Sequence, residues 1–244
     1  TISASSARTA CQISNDASLV AYFPFNSQTV YNDYSVNMIH GLTQATTTIA
    51  QGPVGEALYF STSTSYFQSK CYPHPDYGTP PFTISLWVNP DSLTGGGSLV
   101  HSSNWQNGSG TNCFDILALT STGTLVAQIL ISGGVVVNAT QGPIIPANTW
   151  THIAMVFSST YGIRIYTNGE LTAVSIAISM NTWTFYEPQY ITLGNNSPLG
   201  PSGGVSCKVG SIPVVAGAFK GGIDEFRLYN RELDSHEICV LANR

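Results

Sequence analysis

The sequence contains few charged residues for its length. Asp, Glu, Lys and Arg make up only 9% of its 244 residues, whereas about 25% is usual for a globular protein. None of the four occurs between residues 116 and 163, and the eight Lys and Arg residues are scattered among thirteen Asp and Glu. Because phosphate groups are bound by clustered cations, this distribution excludes nucleic acid as the main partner and argues against an anionic membrane surface.

Long apolar segments are also missing. The longest apolar run, at 125–137, is interrupted by Gln128, Ser132 and two glycines, and it is shorter than the roughly 18 residues of a membrane-spanning helix. We therefore predict no membrane insertion. Apolar residues still make up 43% of the chain, which excludes disorder and is ample for a large core.

Paired cysteine motifs are absent. The five cysteines lie far apart, and none forms a CxxC or CxxxC pair, which argues against a zinc site. Wide spacing is typical of disulfides in a secreted protein. We favour Cys11–Cys239, which would join the two ends of the chain. One of Cys71, Cys113 and Cys207 is then left over; we take Cys71 and Cys207 as the candidate pair, and the remaining thiol is either free or bonded to a covalent partner chain.

Helix patterns are nearly absent, whereas strand patterns recur along the whole chain. Gly, Pro, Ser and Thr are too evenly spread for long helices, while alternation such as that at 82–88 predicts strands. The predicted strands lie at 19–25, 57–60, 82–88, 99–101, 114–119, 124–131, 135–139, 150–158, 161–167, 170–176, 190–193 and 219–229. One helix is predicted at 234–242, with Asp234 or Ser235 as its N-cap. The pattern indicates an all-β, two-sheet antiparallel sandwich that forms one domain over 1–244.

Three N-glycosylation sequons occur, at Asn107, Asn138 and Asn195. The last is followed by Pro198, which weakens it. The alternative explanation is chance, because the chain is rich in Ser, Thr and Asn. Together with the dispersed cysteines, the sequons predict an extracellular glycoprotein, either secreted or the ectodomain of a membrane protein.

Six segments, in chain order, point to a known family. They are LVAYFPF at 19–25, YNDYSVNMIHG at 31–41, GEALYF at 55–60, FTISLWV at 82–88, NTWTHIAMV and IRIYTNG within 148–169, and GGIDEFRLYNREL at 221–233. Together they resemble the laminin G-like, concanavalin A-like lectin/glucanase sandwich, in the jelly-roll variant whose distant relatives include the pentraxins. The resemblance implies jelly-roll connections between the sheets and a lectin-like role in carbohydrate binding or cell adhesion.

The resemblance also implies a structural calcium ion. Several members of the family bind calcium through Asp residues that match Asp33 and Asp224. Asn37 matches the Asn of the family's loop motif and would add an oxygen, and backbone carbonyls of 31–41 would help to complete the about six to eight oxygens that calcium prefers. Val36 departs from the family, which has Gly there. The alternative is an Asx-turn at Asp33 and a buried hydrogen bond at Asp224.

Three long loops, at 67–81, 102–113 and 195–218, are rich in Gly, Pro, Asn and aromatic residues. Long loops on a rigid sandwich commonly carry binding sites, although they can also be spacers. Sugars bind through aromatic stacking together with fixed amide and hydroxyl groups. The candidate ligand-binding residues are Trp105 with Asn104, Tyr72 with Asp76, and Asn195 with Asn196.

Glycoside hydrolysis is not predicted. A retaining glycosidase needs two carboxylates about 5–5.5 Å apart, and no Asp or Glu pair has a suitable spacing within a predicted strand. We therefore expect a non-catalytic, extracellular module of a larger protein that binds a glycan or a cell-surface glycoprotein. The alternatives are a protein–protein adhesion or scaffold domain without sugar binding and, third, a glycoside hydrolase.

Overall fold

The computed structural model describes residues 12–13, 16–72, 81–130, 137–178, 189–199 and 207–244. Within this part of the chain, two antiparallel sheets pack face to face, and a helix, α1 (Ser235–Ala242), packs on the outside of one of them. The predicted all-β sandwich with a short C-terminal helix is confirmed. The described strands are β1 (Leu19–Phe23), β2 (Gly41–Ala45), β3 (Thr47–Gln51), β4 (Glu56–Phe60), β5 (Tyr66–Tyr72), β6 (Phe82–Pro90), β7 (Gly97–Ser103), β8 (Phe114–Leu119), β9 (Thr124–Leu130), β10 (Val137–Ile144), β11 (Thr151–Ser158), β12 (Gly162–Thr167), β13 (Glu170–Val174), β14 (Gln189–Leu193) and β15 (Gly221–Tyr229).

The two sheets are built from interleaved parts of the chain. Sheet 1 has the strand order β13-β12-β11-β6-β15-β4-β3, and β1 pairs with β15 beside this path. Sheet 2 has the order β10-β9-β8-β7-β14-β5-β2. The chain therefore crosses between the sheets repeatedly, in keeping with jelly-roll connections. None of the described helices is long and apolar enough to span a membrane.

The core lies between the sheets and is filled by every second residue of the facing strands. In β6, Ile84, Leu86 and Val88 are buried in it, which confirms the face that the alternation predicted. Phe67 of β5 packs edge-on against Phe23 of β1, with ring centroids 5.0 Å apart. Since full burial of a Phe side chain contributes about 1.5–3 kcal/mol, this contact helps to hold sheet 1 against sheet 2.

Charged side chains concentrate on the outer face of sheet 1, close to α1. Arg227 and Glu225 of β15 form an ion pair in which both side chains are 1% exposed. Arg231 pairs with Glu237 of α1 at 2.7 Å. Asp234 is the N-cap of the helix, because its side chain accepts a hydrogen bond from the Glu237 backbone N–H.

The sequence patterns miss three strands. β2 and β3 consist mainly of Thr, Gln, Ala and Gly and lie at sheet edges, where half-buried or exposed side chains leave no apolar alternation. β5 overlaps the predicted loop at 67–81, so that prediction is wrong for residues 67–72. Its Gln68 and Ser69 are both buried, and the strand therefore lacks the polar-out pattern of a half-solvated sheet.

Replacing Phe67 by Ala should lower the free energy of unfolding by about 3–5 kcal/mol, because the cavity removes contacts on both sheets. F67L keeps most of the apolar volume and should cost clearly less. Urea unfolding of the two variants measures the difference. Equal losses would show that the ring does not bridge the sheets.

Candidate functional site

A row of polar side chains crosses the outer face of sheet 2. Gln68 of β5, Thr192 of β14, His101 of β7 and Asp115 of β8 occupy paired register positions on neighbouring strands. All are buried and have core residues as chain neighbours, so their side chains point away from the core. Gln128 of β9 joins them, because its Nε2 donates to the Asp115 carbonyl at 2.8 Å. We call these five residues the polar row.

Side chains within the polar row are bonded to one another. Gln68 Nε2 donates to Thr192 Oγ1 at 2.9 Å, and Nδ1 of the His101 ring lies 2.8 Å from Asp115 Oδ1. Hydrogen bonds in such a buried network are strong, and each one fixes the rotamer of its neighbour. The polar row is therefore a rigid base for the segments that lie on it.

One of these segments is the Trp105 loop (residues 104–113), which joins β7 to β8. Gln68 Nε2 also donates to the carbonyl oxygen of Gln106 at 2.9 Å. His101 Nε2 lies 2.8 Å from the carbonyl oxygen of Gly108. Both contacts hold the main chain of the loop, so they fix its path whatever its side chains are.

Residues 194–199 pack against the Trp105 loop. Asn196 Nδ2 donates to Asp115 Oδ2 at 3.2 Å, which ties this segment to the polar row as well. A Cβ added to Gly108, whose φ is +86°, would lie 2.2 Å from the carbonyl oxygen of Asn196. Only glycine therefore allows the two segments to approach so closely.

A disulfide joins the end of the Trp105 loop to a third segment. Cys113 is bonded to Cys207, with Cα atoms 4.8 Å apart, whereas Cys239 is free and exposed on α1. The predicted pairs Cys11–Cys239 and Cys71–Cys207 are therefore wrong. The folded chain brings Cys207 to β8, and α1 turns Cys239 toward solvent. Cys11 and the side chain of Cys71 lie outside the described residues.

Trp105 is the aromatic side chain that this loop presents to solvent, with 46% of its surface exposed. Asn104 is half-buried, and its Oδ1 accepts a hydrogen bond from the Asn112 N–H at 2.9 Å. Asn104 therefore shapes the loop, while Trp105 is available to a ligand. The predicted Tyr72 side chain and Asp76 lie outside the described residues.

Asn195 is used inside the protein. Its side chain is 2% exposed, and its Nδ2 donates to the carbonyls of Ser63 and Ser65 at 3.1 and 3.3 Å. The predictions of Asn195 as a sugar ligand and as a glycan acceptor are therefore wrong, because folding places it against a segment distant in sequence. Asn107 stays a predicted acceptor, and the side chain of Asn138 lies outside the described residues.

The carboxylate of Asp33 is engaged by donors of its own loop and of β1. Oδ1 accepts from the N–H groups of Tyr22 and Ser35, and Oδ2 accepts from the Ile39 N–H, all at 2.8 Å. The Ser35 hydroxyl lies 2.8 Å from Oδ2 and 2.9 Å from the Val20 carbonyl oxygen, and its single hydrogen serves one of the two. A carboxylate offers about four acceptor positions, and N–H groups fill three of them, so Asp33 is poorly placed to ligate a cation. Asp33 anchors the loop at 31–41, as the Asx-turn alternative states.

Asp33, Asn37 and Asp224 therefore do not fit one calcium ion as a set. Asn37 Nδ2 donates to the Val20 carbonyl at 3.0 Å, which ties the side chain to β1. No cluster of three or more His, Cys, Asp or Glu side chains suited to a metal occurs among the described residues.

Asp224 differs from Asp33, because its buried carboxyl has few partners. Oδ1 accepts from the adjacent Glu225 N–H at 2.7 Å, and Oδ2 accepts only a long contact of 3.4 Å from the Val54 N–H. Burial, followed by the Glu225 charge, raises the pKa of Asp224 to about 8. A Cβ on Gly52 would lie 2.6 Å from Oδ2, so only glycine at position 52 leaves room next to this oxygen. Asp224 thus fits a cation ligand better than Asp33 does.

No local pattern in the sequence predicts the polar row. His101 and Asp115 lie 14 positions apart, and their pairing depends on the register of two strands. A signal is nevertheless present, since Asp115 interrupts the apolar strand FDILAL and Thr192 interrupts ITL. A charged or hydroxyl side chain inside an otherwise apolar strand indicates a partner on the far face of the sheet.

Comparisons with known proteins agree on the fold. The model of the concanavalin A-like lectin/glucanases superfamily matches residues 61–239, and a comparison with curated proteins finds no match. Among solved structures, the binding domain of Paraclostridial Mosquitocidal Protein 1 is similar, with a TM-score of 0.67 and 18% identity over 95% of this chain and 53% of that one.

Two other similar structures were solved with a bound ligand. Domain 4 of AbnA, a GH43 extracellular arabinanase from Geobacillus stearothermophilus, in complex with arabinotriose, has a TM-score of 0.59 and 18% identity over 92% of this chain and 98% of that one. The binding domain of botulinum neurotoxin DC in complex with SialylT has a TM-score of 0.59 and 13% identity over 95% and 52%. The chain thus spans about half the length of the two toxin domains, and identities this low establish the fold alone.

Burial lowers the pKa of His152 to about 3, so this ring makes the fold more stable as pH rises toward its ordinary value of 6.5, and the opposite effect of Asp224 is clearest above that pH. In the presence of a chelator, stability should fall as pH rises from about 6.5 to about 8. The folded chain holds the Asp224 proton with a pKa of about 8, against an ordinary value of 3.8, so ionisation opposes folding throughout this window. Urea unfolding across the window should show a flatter profile for D224N than for the wild type. E170Q, at an exposed carboxylate, is the control, and a wild-type slope in D224N would contradict the assignment.

Proposed function

The chain belongs to the concanavalin A-like lectin/glucanases superfamily, and we propose that it is a non-catalytic, extracellular carbohydrate-binding module. We assign the binding surface to the Trp105 loop. The observation that carries the proposal is an exposed indole on a loop that is held to the sheet at Gln106, Gly108 and Cys113.

The chemistry of the loop suits a sugar. A sugar ring packs on an aromatic face and directs its hydroxyls to nearby polar groups. Trp105 supplies the face, and the exposed Gln106 and Thr111 of the same loop supply polar side chains. Because the loop is already fixed, little conformational entropy is lost when a ligand binds. The arabinotriose complex of the AbnA domain supports a ligand of this class.

The absence of charge in the sequence of this surface favours a neutral glycan. Residues 104–113 and 194–199 contain no Asp, Glu, Lys or Arg. The same absence argues against catalysis, because glycoside hydrolysis requires a carboxylic acid and a second carboxylate at the scissile bond. Asp115 lies below the loop and is hydrogen-bonded to His101 and Asn196, so its carboxylate is used inside the protein.

An extracellular location is part of the proposal. The Cys113–Cys207 disulfide supports it, because such bonds persist in oxidising compartments.

A protein-adhesion surface is the alternative, and one exposed apolar loop favours it. Tyr34, Val36 and Met38 are 52%, 64% and 66% exposed on the loop that Asp33 anchors. Neighbouring exposed apolar side chains of this kind mark many protein-binding surfaces.

Trp105→Ala should abolish or weaken glycan binding by at least about tenfold, equivalent to about 1.4 kcal/mol, because the stacking face is lost. Y34A removes an exposed aromatic from the alternative surface and should leave binding unchanged. A glycan array that includes arabino-oligosaccharides, followed by calorimetry on the best ligand, measures both variants. Binding that survives W105A but not Y34A would place the ligand on the other loop.

Calcium binding is the second element of the proposal, with Asp224 as its ligand. The ion would supply only charge and structural support, by holding the carboxylate ionised beside the chain at 52–54. Calcium should therefore raise the melting temperature of the wild type, more strongly at higher pH, and should leave D224N unchanged. Thermal melts with calcium, with magnesium and with chelator measure this; equal stabilisation of the wild type and D224N would exclude Asp224 as the ligand.

A further inference from the structure

His101 is held between two hydrogen-bond acceptors. Its Nδ1 lies 2.8 Å from Asp115 Oδ1, its Nε2 lies 2.8 Å from the Gly108 carbonyl oxygen, and the ring is fully buried. A carbonyl and a carboxylate only accept, whereas a neutral imidazole has a single N–H. Both contacts are hydrogen bonds only if the His101–Asp115 pair carries one proton more than a neutral ring beside a carboxylate.

The second oxygen of Asp115 indicates where this proton resides. Asn196 Nδ2 donates to Oδ2 at 3.2 Å, and a donated hydrogen bond stabilises the ionised form of a carboxylate. The extra proton therefore belongs to the ring, and the pair is an imidazolium beside a carboxylate. A charge-assisted bond of this kind is stronger than a neutral one.

We propose that the His101 imidazolium is a positioning group that holds the Trp105 loop in its binding conformation, so that loss of its proton releases the loop. When the ring is neutral, Asp115 retains the Nδ1–H, and the Nε2 lone pair faces the Gly108 carbonyl oxygen. A hydrogen bond is then replaced by repulsion between two acceptors at a buried position. The part of this proposal that concerns glycan affinity rests on the proposed function.

Asp115 is the charged side chain that faces His101. The side chain beside it on β14 is Thr192, and the one beside it on β8 is Asp115. Two lysines belong to neighbouring segments. The Nζ atom of Lys70 in β5 lies 5.4 Å from the centroid of the Tyr190 ring, and Lys208 follows Cys207 in the chain. Among the described residues, the ion-pair partner of Asp115 is His101.

The other attachments of the loop do not titrate. The Gln68–Gln106 hydrogen bond and the Cys113–Cys207 disulfide persist when His101 is neutral. The loop therefore opens at Gly108 while its flanks stay attached. Asn196 is displaced with it, because the two segments are in close contact there.

The test uses the whole chain with fluorotryptophan, its Trp105 signal assigned through W105F, and ring-nitrogen NMR of His101. Both are recorded from about pH 5 to about pH 9, the range in which His residues usually titrate. The proposal predicts a doubly protonated ring at low pH and a Trp105 signal that changes with the same midpoint as the ring. A neutral ring at every pH, or a ring that titrates while Trp105 stays unchanged, would overturn it, as would an imidazolium that persists across the range.

His101→Gln supplies an uncharged side chain in place of the ring. In H101Q the Trp105 signal should no longer change with pH, because the amide has no proton to lose in this range, while H236Q, at an exposed histidine of α1, should titrate like the wild type. A wild-type pH profile in H101Q would refute the proposal. If H101Q does not fold, the wild-type titration decides on its own.

Glycan affinity separates this proposal from the proposed function. Affinity for the best array ligand should fall about tenfold when the closed form falls to a tenth of the population. The pH midpoint of this fall should equal the pH midpoint of the change in the Trp105 signal. Affinity that is independent of pH while Trp105 and His101 titrate together would contradict the link between the loop and binding. A chain that binds no glycan but shows coupled titration would refute the proposed function and leave the role of His101 in holding the loop intact.

Discussion

The surface above sheet 2 depends on hydrogen-bond donors that rise from the sheet beneath it. A loop laid across a sheet removes water from its own carbonyl groups, and a buried carbonyl is costly unless a donor replaces the water. Gln68 and His101 supply donors to Gln106 and Gly108. Because Gln68 and His101 lie within paired strands, the register of the sheet fixes the positions of their donor groups. An exposed indole can then occupy a fixed position although it belongs to a loop.

The outer faces of the two sheets are stabilised by different interactions. Among the described residues, ion pairs such as Arg227–Glu225 and Arg231–Glu237 belong to sheet 1, α1 and the segments beside them, and His101–Asp115 is the exception. Sheet 1 thus uses charge to attach the C-terminal segment of the chain. Sheet 2 uses amides and the His101–Asp115 pair to support loop segments, 104–113 and 194–199, whose sequence is free of charge.

What the sequence could predict depends on how far apart in the chain the interacting residues lie. Strand β8 was predicted with its observed bounds, and the Asp234 cap of α1 was one of two choices, because alternation and capping depend on neighbours along the chain. Trp105 was identified because a tryptophan among amides is a local pattern. The partners of His101, and the donors that engage Asp33, depend on register and loop path, which a single sequence does not encode in any short window.

The main-chain attachment of the Trp105 loop bears on how such a module diversifies. The sheet holds carbonyl oxygens, which every amino acid carries, and only positions such as Gly108 and Gly110, with φ of +86° and +134°, are restricted by the path itself. Substitutions at positions 105, 106 and 111 therefore alter the chemistry offered to a ligand without altering the shape that offers it. One framework can in this way acquire new specificities by single steps in evolution, or by randomising those codons in a library.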